Sequence, residues 1–131
     1  MESCLSQSDI EDILELERQA LQRWCSGDPS GFLEISAPDV VYFDPFLESR
    51  LDGLEALRSY YDGLRGKIRA ERYELLNPLV QKLGDRAGVL TFNFVSYGSD
   101  GSESRWNSTE VYRKDLPGWR IAHSHWSITK R

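Results

Sequence analysis

Near residue 70 the spacing of apolar residues in this chain changes from a helical period to a strand period, and that change restricts the fold more than any other feature. Upstream, Ile10, Ile13, Leu14, Ala20, Leu21 and Trp24 fall at helical intervals across residues 8–26, with Ser8 or Asp9 as the N-cap and Gly27 as the stop. The stretch DPSGFLEIS predicts a second, short helix with Pro29 in its first turn. DVVYFD has β-type composition, PFLESRLDG reads as a loop, and LEALRSYYDGLRG reads as an amphipathic helix closed by Gly66. Downstream everything reads as strand, in runs near 70–84, 87–98, 104–115 and 118–128, separated by the turn signals GDR, GSDGS and DLPG. Helices first and a long antiparallel meander afterwards predict an α+β domain with its helices packed on one face of a sheet.

Side chains alternate across a strand, so the sequence also sorts residues into faces. In AGVLTFNFVSY, Val89, Thr91, Asn93, Val95 and Tyr97 share one side, and Leu90, Phe92 and Phe94 the other. Trp106, Ser108, Glu110 and Tyr112 alternate with Asn107, Thr109 and Val111. In the last run Trp119, Ile121, His123 and His125 fall together, against Ala122, Ser124 and Trp126. Both faces of the sheet are substantially apolar, so both are expected to be covered, one by the helices and the other most simply by a second copy of the chain.

Composition narrows the function classes. A chain of 131 residues with 40% hydrophobic content suits one domain with a single core. The net charge is −5, with 21 Asp and Glu against 16 Lys and Arg and no basic stripe, which argues against a nucleic-acid binder. The segment MESCLSQSDIEDILELE lacks the basic and apolar regions of a signal peptide. No apolar run approaches the roughly 20 residues that span a bilayer. Cys4 and Cys25 match no metal or redox spacing and are too few for a disulfide framework. No glycine-rich phosphate loop follows a strand. A reduced, cytoplasmic protein needing neither metal nor nucleotide cofactor is the expectation.

The order helix, short helix, DVVYFDPF, GLEALRSYYDGL and four strands ending GWRIAHSHWS resembles the nuclear transport factor 2-like superfamily, over about Asp9 to Ser127. Within it the chain is similar to SnoaL-like and ketosteroid-isomerase-like domains and to the association, or hub, domain of calcium/calmodulin-dependent protein kinase II. The resemblance implies a cystatin-like curved antiparallel sheet wrapped around the N-terminal helix, enclosing a conical pocket. It also implies homodimers through the opposite, convex face, assigned to Leu90, Phe92, Phe94, Asn107 and Thr109. The cone residues are then Trp24, Tyr42, Asp44, Phe46, Tyr61, Asn93, Glu110, His123 and His125, a set of apolar and aromatic walls with a few polar groups of the kind a small-molecule site uses. Trp106, Tyr112, Trp119 and Trp126 suit core or interface on their strands, and Trp106 is also a ligand-binding candidate beside Glu110.

The isomerase branch carries its general base on a D-P pair after the first strand, and FDPF places Asp44 there. Asp-Pro is also a common strand-exit turn. Glu110 falls where that branch holds a protonated Asp for the developing oxyanion, but the matching Tyr position is Ala20, so one of two oxyanion donors is missing. The hub branch has a basic cavity, and its positions here are Leu57, Asn93, Glu110 and Trp126. An H-x-H pair on a strand can ligate a metal, face a substrate as acid and base, or be structural. The reading carried forward places His123 and His125 in the pocket as polar or proton-shuttling groups.

Two function classes follow. One is a cofactor-independent isomerase or lyase acting on a neutral carbonyl or hydroxyl compound, with Asp44 as base and Glu110, His123 or His125 as donors. The other is a non-catalytic domain that dimerises and binds a small ligand or a partner protein. If Asp44 and Glu110 share one apolar cone, burial and mutual repulsion raise both pKa values, one sits protonated, and uncharged hydrophobic ligands are preferred to carboxylates unless the histidines are charged.

Overall fold

A computed structural model describes residues 7–116 and 118–130. The expectations that fell on Cys4 and Pro117 lie outside the described residues. The elements follow in the order α1 (Gln7–Cys25), α2 (Ser30–Glu34), β1 (Ser36–Phe43), β2 (Leu51–Asp52), α3 (Leu54–Asp62), β3 (Arg72–Lys82), β4 (Ala87–Tyr97), β5 (Glu103–Lys114) and β6 (Trp119–Ile128). The α+β class and the helical and strand halves stand where the change of period put them. None of the described helices is long and apolar enough to cross a membrane.

Helix α1 buries Ile13, Glu17, Ala20, Leu21 and Cys25, one stripe at intervals of three and four. Gly27 ends it at φ 91°, with its amide on the Trp24 carbonyl at 2.9 Å. The Gly27 carbonyl in turn accepts the Gly66 amide at 2.9 Å, which ties the end of α1 to the chain beyond α3. Helix α3 stops at Gly63, three residues earlier than Gly66 suggested.

The sheet is curved and unclosed, with strand order β2-β1-β6-β5-β4-β3. Strands β3 to β6 form the expected antiparallel meander, whereas β1 pairs with β6 in parallel. Leu90, Phe92 and Phe94 of β4 join Tyr112, Trp119 and Ile121 in the core beneath Ile13 and Leu21 of α1, Phe32 of α2 and Leu57 of α3. That corrects the expected interface. The three residues assigned to a convex dimer face are at most 5% exposed and lie on the helix-covered side. Of that set only Asn107 and Thr109 lie on the outer face, where both are exposed.

A second correction comes from one residue. Val111 pairs with His123, but the next β5 residue, Tyr112, pairs with Ile121, so Ala122 is a bulge with no partner. Trp119 and Ile121 face the helices. Beyond the bulge the phase inverts, so Ser124 and Trp126 face the helices and His123 and His125 face outward. A similar irregularity breaks β3 between Leu76 and Leu79, where Asn77 adopts φ 52° before Pro78.

Candidate ligand pocket

Between α1, α3 and the concave face of the sheet lies a cavity of about 400 Å³. Nine of its lining residues are aromatic: Trp24, Phe32, Tyr42, Phe46, Tyr60, Tyr61, Phe94, Trp106 and Trp126. Their rings meet mostly edge to face, as in Trp24 against Tyr61 (centroids 4.9 Å, 64°) and Trp126 against Phe94 (5.9 Å, 86°). Leu64, Ile68 and Ala70, past the end of α3, extend its wall.

Among the described residues, Asp44 is the only carboxylate in the lining. It leaves β1 at the Asp-Pro turn, where Oδ1 accepts the Phe46 amide at 2.9 Å and fixes the turn. Oδ2 accepts two phenols, Tyr42 at 2.9 Å and Tyr60 at 2.7 Å. Tyr42 precedes Asp44 by two residues on β1, and Tyr60 reaches across from α3. Burial, and after it the neighbouring Asp44 hydrogen bond and charge, raises the Tyr60 hydroxyl pKa. Burial likewise raises Tyr42 and Tyr61, so all three phenols stay protonated in neutral solution. The turn and the catalytic readings of Asp-Pro are therefore not exclusive: one oxygen makes the turn and the other faces the phenols. Arg69 is the lining's one basic residue, exposed at the rim.

The structure places Trp24, Tyr42, Asp44, Phe46, Tyr61 and Trp106 in the cavity wall. It takes four others out of it. Asn93 turns outward and donates to the Trp106 carbonyl at 3.1 Å and to Asn107 Oδ1 at 2.7 Å. The bulge at Ala122 carries His123 and His125 to the outer face, where Phe43 lies between them with ring centroids 6.1 and 5.0 Å away. Burial, then the charge of His125, lowers the His123 pKa. Among the described residues no group of three or more His, Cys, Asp or Glu is placed to hold a metal.

Glu110 does face the helices, but it lies behind the cavity rather than in it, and its carboxylate neighbour is Glu17 of α1 and not Asp44. Both are fully buried. Tyr112 donates to Glu17 Oε1 at 2.7 Å and Ser124 to Glu110 Oε2 at 2.8 Å. The remaining oxygens, Glu17 Oε2 and Glu110 Oε1, find no other donor, and a proton held by Glu17 and donated to Glu110 satisfies both. Burial, then the charge of Glu110, pushes the Glu17 pKa well up. Burial also raises Glu110, against the hydrogen bonds it accepts from Glu17, Ser124 and Trp126. The buried acid pair is thus Glu17 with Glu110, and not Asp44 with Glu110.

Sequence reasoning missed Tyr60, Phe32, Arg69 and Glu17, and placed Trp126 in the core or interface. Glu17 was legible: it stands four residues after Ile13 and four before Leu21, an acid on the apolar stripe of α1. Tyr60 adjoins Tyr61, and only the docking of α3 shows that both reach the cavity.

Residues 8–130 match the model of the calcium/calmodulin dependent protein kinase II association domain. The chain is 24% identical over 127 residues to the calcium/calmodulin-dependent protein kinase type II alpha chain of Drosophila melanogaster, covering 92% of this chain and 24% of that one, so it spans about a quarter of that relative's length. A candidate ketosteroid isomerase from Parabacteroides distasonis superposes with a TM-score of 0.81 at 43% identity, covering 92% of this chain and 87% of the other. A nuclear transport factor 2-like protein from Pseudomonas putida superposes with a TM-score of 0.84 at 21% identity, covering 97% and 91%.

Proposed function

This chain belongs to the calcium/calmodulin dependent protein kinase II association domain family and to the nuclear transport factor 2-like fold, and on that premise we propose that it is a small-molecule-binding domain that self-associates. The observation that carries the binding half is the cavity: about 400 Å³, walled by aromatic rings, with one carboxylate fixed at its mouth by three hydrogen-bond donors. That is the size and make-up of a site for a compact, largely apolar ligand with one polar anchor. The neutral solvatochromic dye Nile red tests it. Its emission is expected to shift to the blue and rise on mixing with the protein, and Ala70→Phe or Ser96→Phe, each filling the cavity from its wall, to abolish the change. An unchanged response in both variants would show that the dye, and the ligand it stands for, bind elsewhere.

A second reading makes the domain a cofactor-independent isomerase or lyase. The 43% identity to a candidate ketosteroid isomerase favours it. Asp44 then takes a proton from carbon beside a carbonyl, with its carboxylate held in place by the Tyr42 and Tyr60 hydroxyls. Glu110, His123 and His125 have no part in that chemistry, since none lines the cavity. Exchange of ketone α-protons into D₂O, followed by NMR and slowed by Asp44→Asn, would support this reading; exchange at the uncatalysed rate would remove it.

Self-association is assigned to the outer sheet face, where Val41, Phe43, Val89, Thr91 and Val111 surround the two histidines. This replaces Leu90, Phe92 and Phe94, which serve the core.

A further inference from the structure

Asp44 and the two phenols that bind it turn acceptors toward the cavity. Tyr42 and Tyr60 both spend their hydroxyl protons on Asp44 Oδ2, so what they offer a guest is oxygen lone pairs beside an acid group. A second acid stands behind the floor. Trp126, a wall residue, donates its indole N–H to Ser124 Oγ at 3.1 Å, and Ser124 donates to Glu110 at 2.8 Å. Tyr61, between the two acids, has its hydroxyl pKa raised chiefly by burial and then by the charges of Glu110 and Asp44, so the negative field reaches into the cavity. The walls act in the same direction, because aromatic faces carry partial negative charge and attract cations. The one opposing charge, Arg69, is exposed at the rim, where solvent screens it.

We propose that the cavity takes an organic ammonium: a protonated primary or secondary amine on an aromatic or alicyclic body, its N–H groups on Asp44 and the Tyr42 and Tyr60 oxygens, its body against Trp24, Phe94 and Trp126. This rests on the reading of the cavity as a ligand site and reverses the expectation of an uncharged ligand. That expectation assumed Asp44 and Glu110 neutralise each other by sharing a proton in the cone. Glu110 instead lies behind the cavity against Glu17, which leaves Asp44 alone at the mouth.

Three probes with one body and different heads decide it: 4-phenylbutylamine, 4-phenylbutan-1-ol and 4-phenylbutanoate, by calorimetry on the whole chain at pH 7.5. The amine is expected to bind about tenfold tighter than the alcohol, as a charge-assisted hydrogen bond in a partly desolvated site exceeds a neutral one, with the carboxylate weakest. Asp44→Asn should erase the amine's advantage and leave the alcohol within about threefold. An unchanged far-UV circular dichroism spectrum and thermal midpoint check that Asp44→Asn is folded. Arg69→Gln should strengthen amine binding. Equal binding of alcohol and amine, an amine advantage that survives Asp44→Asn, or tightest binding of the carboxylate overturns the ammonium assignment. If none of the three binds while Nile red does, this inference falls and the ligand site stands; if Nile red also fails, the site falls with it.

Discussion

Burial and the neighbouring Glu110 push the pKa of Glu17 well up, and this makes stability depend on pH in a definite direction. Its folded pKa lies above its unfolded value near 4.3. The stabilisation it brings is therefore fully present below the unfolded pKa and is lost as pH rises through the folded pKa. The surface acids work the other way. Asp28, Glu34 and Asp39, each lowered chiefly by hydrogen bonds, from the Ser30 amide for Asp28 and from Arg23 and Arg113 for the other two, lose their contribution as pH falls. Glu17→Gln keeps an acceptor for Tyr112 and a donor for Glu110 while removing the titration. The midpoint of thermal unfolding for this variant should be less sensitive to pH between 5 and 9 than that of the wild type, and higher at the alkaline end. A parallel pair of curves would mean that Glu17 does not carry this limb. Glu17→Ala, which leaves a cavity and an unpaired Tyr112 hydroxyl, should cost about 3 kcal/mol at pH 6 by urea unfolding.

At the level of elements, the bulge in β6 decides which side chains meet the helices. Deleting Ala122 would remove the bulge while leaving Ile121 opposite Tyr112 and His123 opposite Val111, so His123 and His125 stay outward and Ser124 and Trp126 stay against the helices. The deletion should therefore fold, keep Nile red binding and cost no more than about 1–3 kcal/mol in urea. A variant unfolded by far-UV circular dichroism would show that the bulge itself, and not only the phase it sets, is needed. The clamp between α1 and the segment after α3 is a second test. A Cβ on Gly27 would meet Gly66 Cα and the Ile68 carbonyl, both at 3.3 Å, and φ is 91°. Gly27→Ala should therefore cost about 1–3 kcal/mol in urea, and it should weaken Nile red binding as well, because Ile68 belongs to the cavity wall.

For the whole molecule, the outer sheet face sets the assembly prediction. Val111 and Phe43 flank the histidines there, and a standard interface of about 800 Å² per partner is close to a tenth of the 7636 Å² surface. Light scattering should report a dimer or a multiple of dimers at micromolar concentration. Val111→Asp, which puts a charge into a desolvated interface, should shift the protein to monomer while Nile red still binds. A wild-type monomer would reject self-association, and a Val111→Asp protein of unchanged mass would move the interface to another surface.

Local pattern settled a good deal without any fold. The three-to-four spacing of Ile13, Glu17, Leu21 and Cys25 makes α1 because a helix turns every 3.6 residues, and glycine and Asx signals end the strands within a residue or two of their observed limits. Tyr42 and Asp44 come together because they are two residues apart where β1 gives way to the Asp-Pro turn. Tertiary structure alone decided the rest. In β4 both alternating sets are apolar, so the sequence says which residues travel together but not which set meets the helices; Leu90, Phe92 and Phe94 went inward when the docking of α1 and α3 chose the side. One unpaired residue, Ala122, inverts the end of β6 with no local sign, because the ladder with β5 absorbs it. The pairing of Glu17 with Glu110 joins residues 93 positions apart, and that contact, invisible to any period, is what leaves Asp44 the sole acid of the pocket.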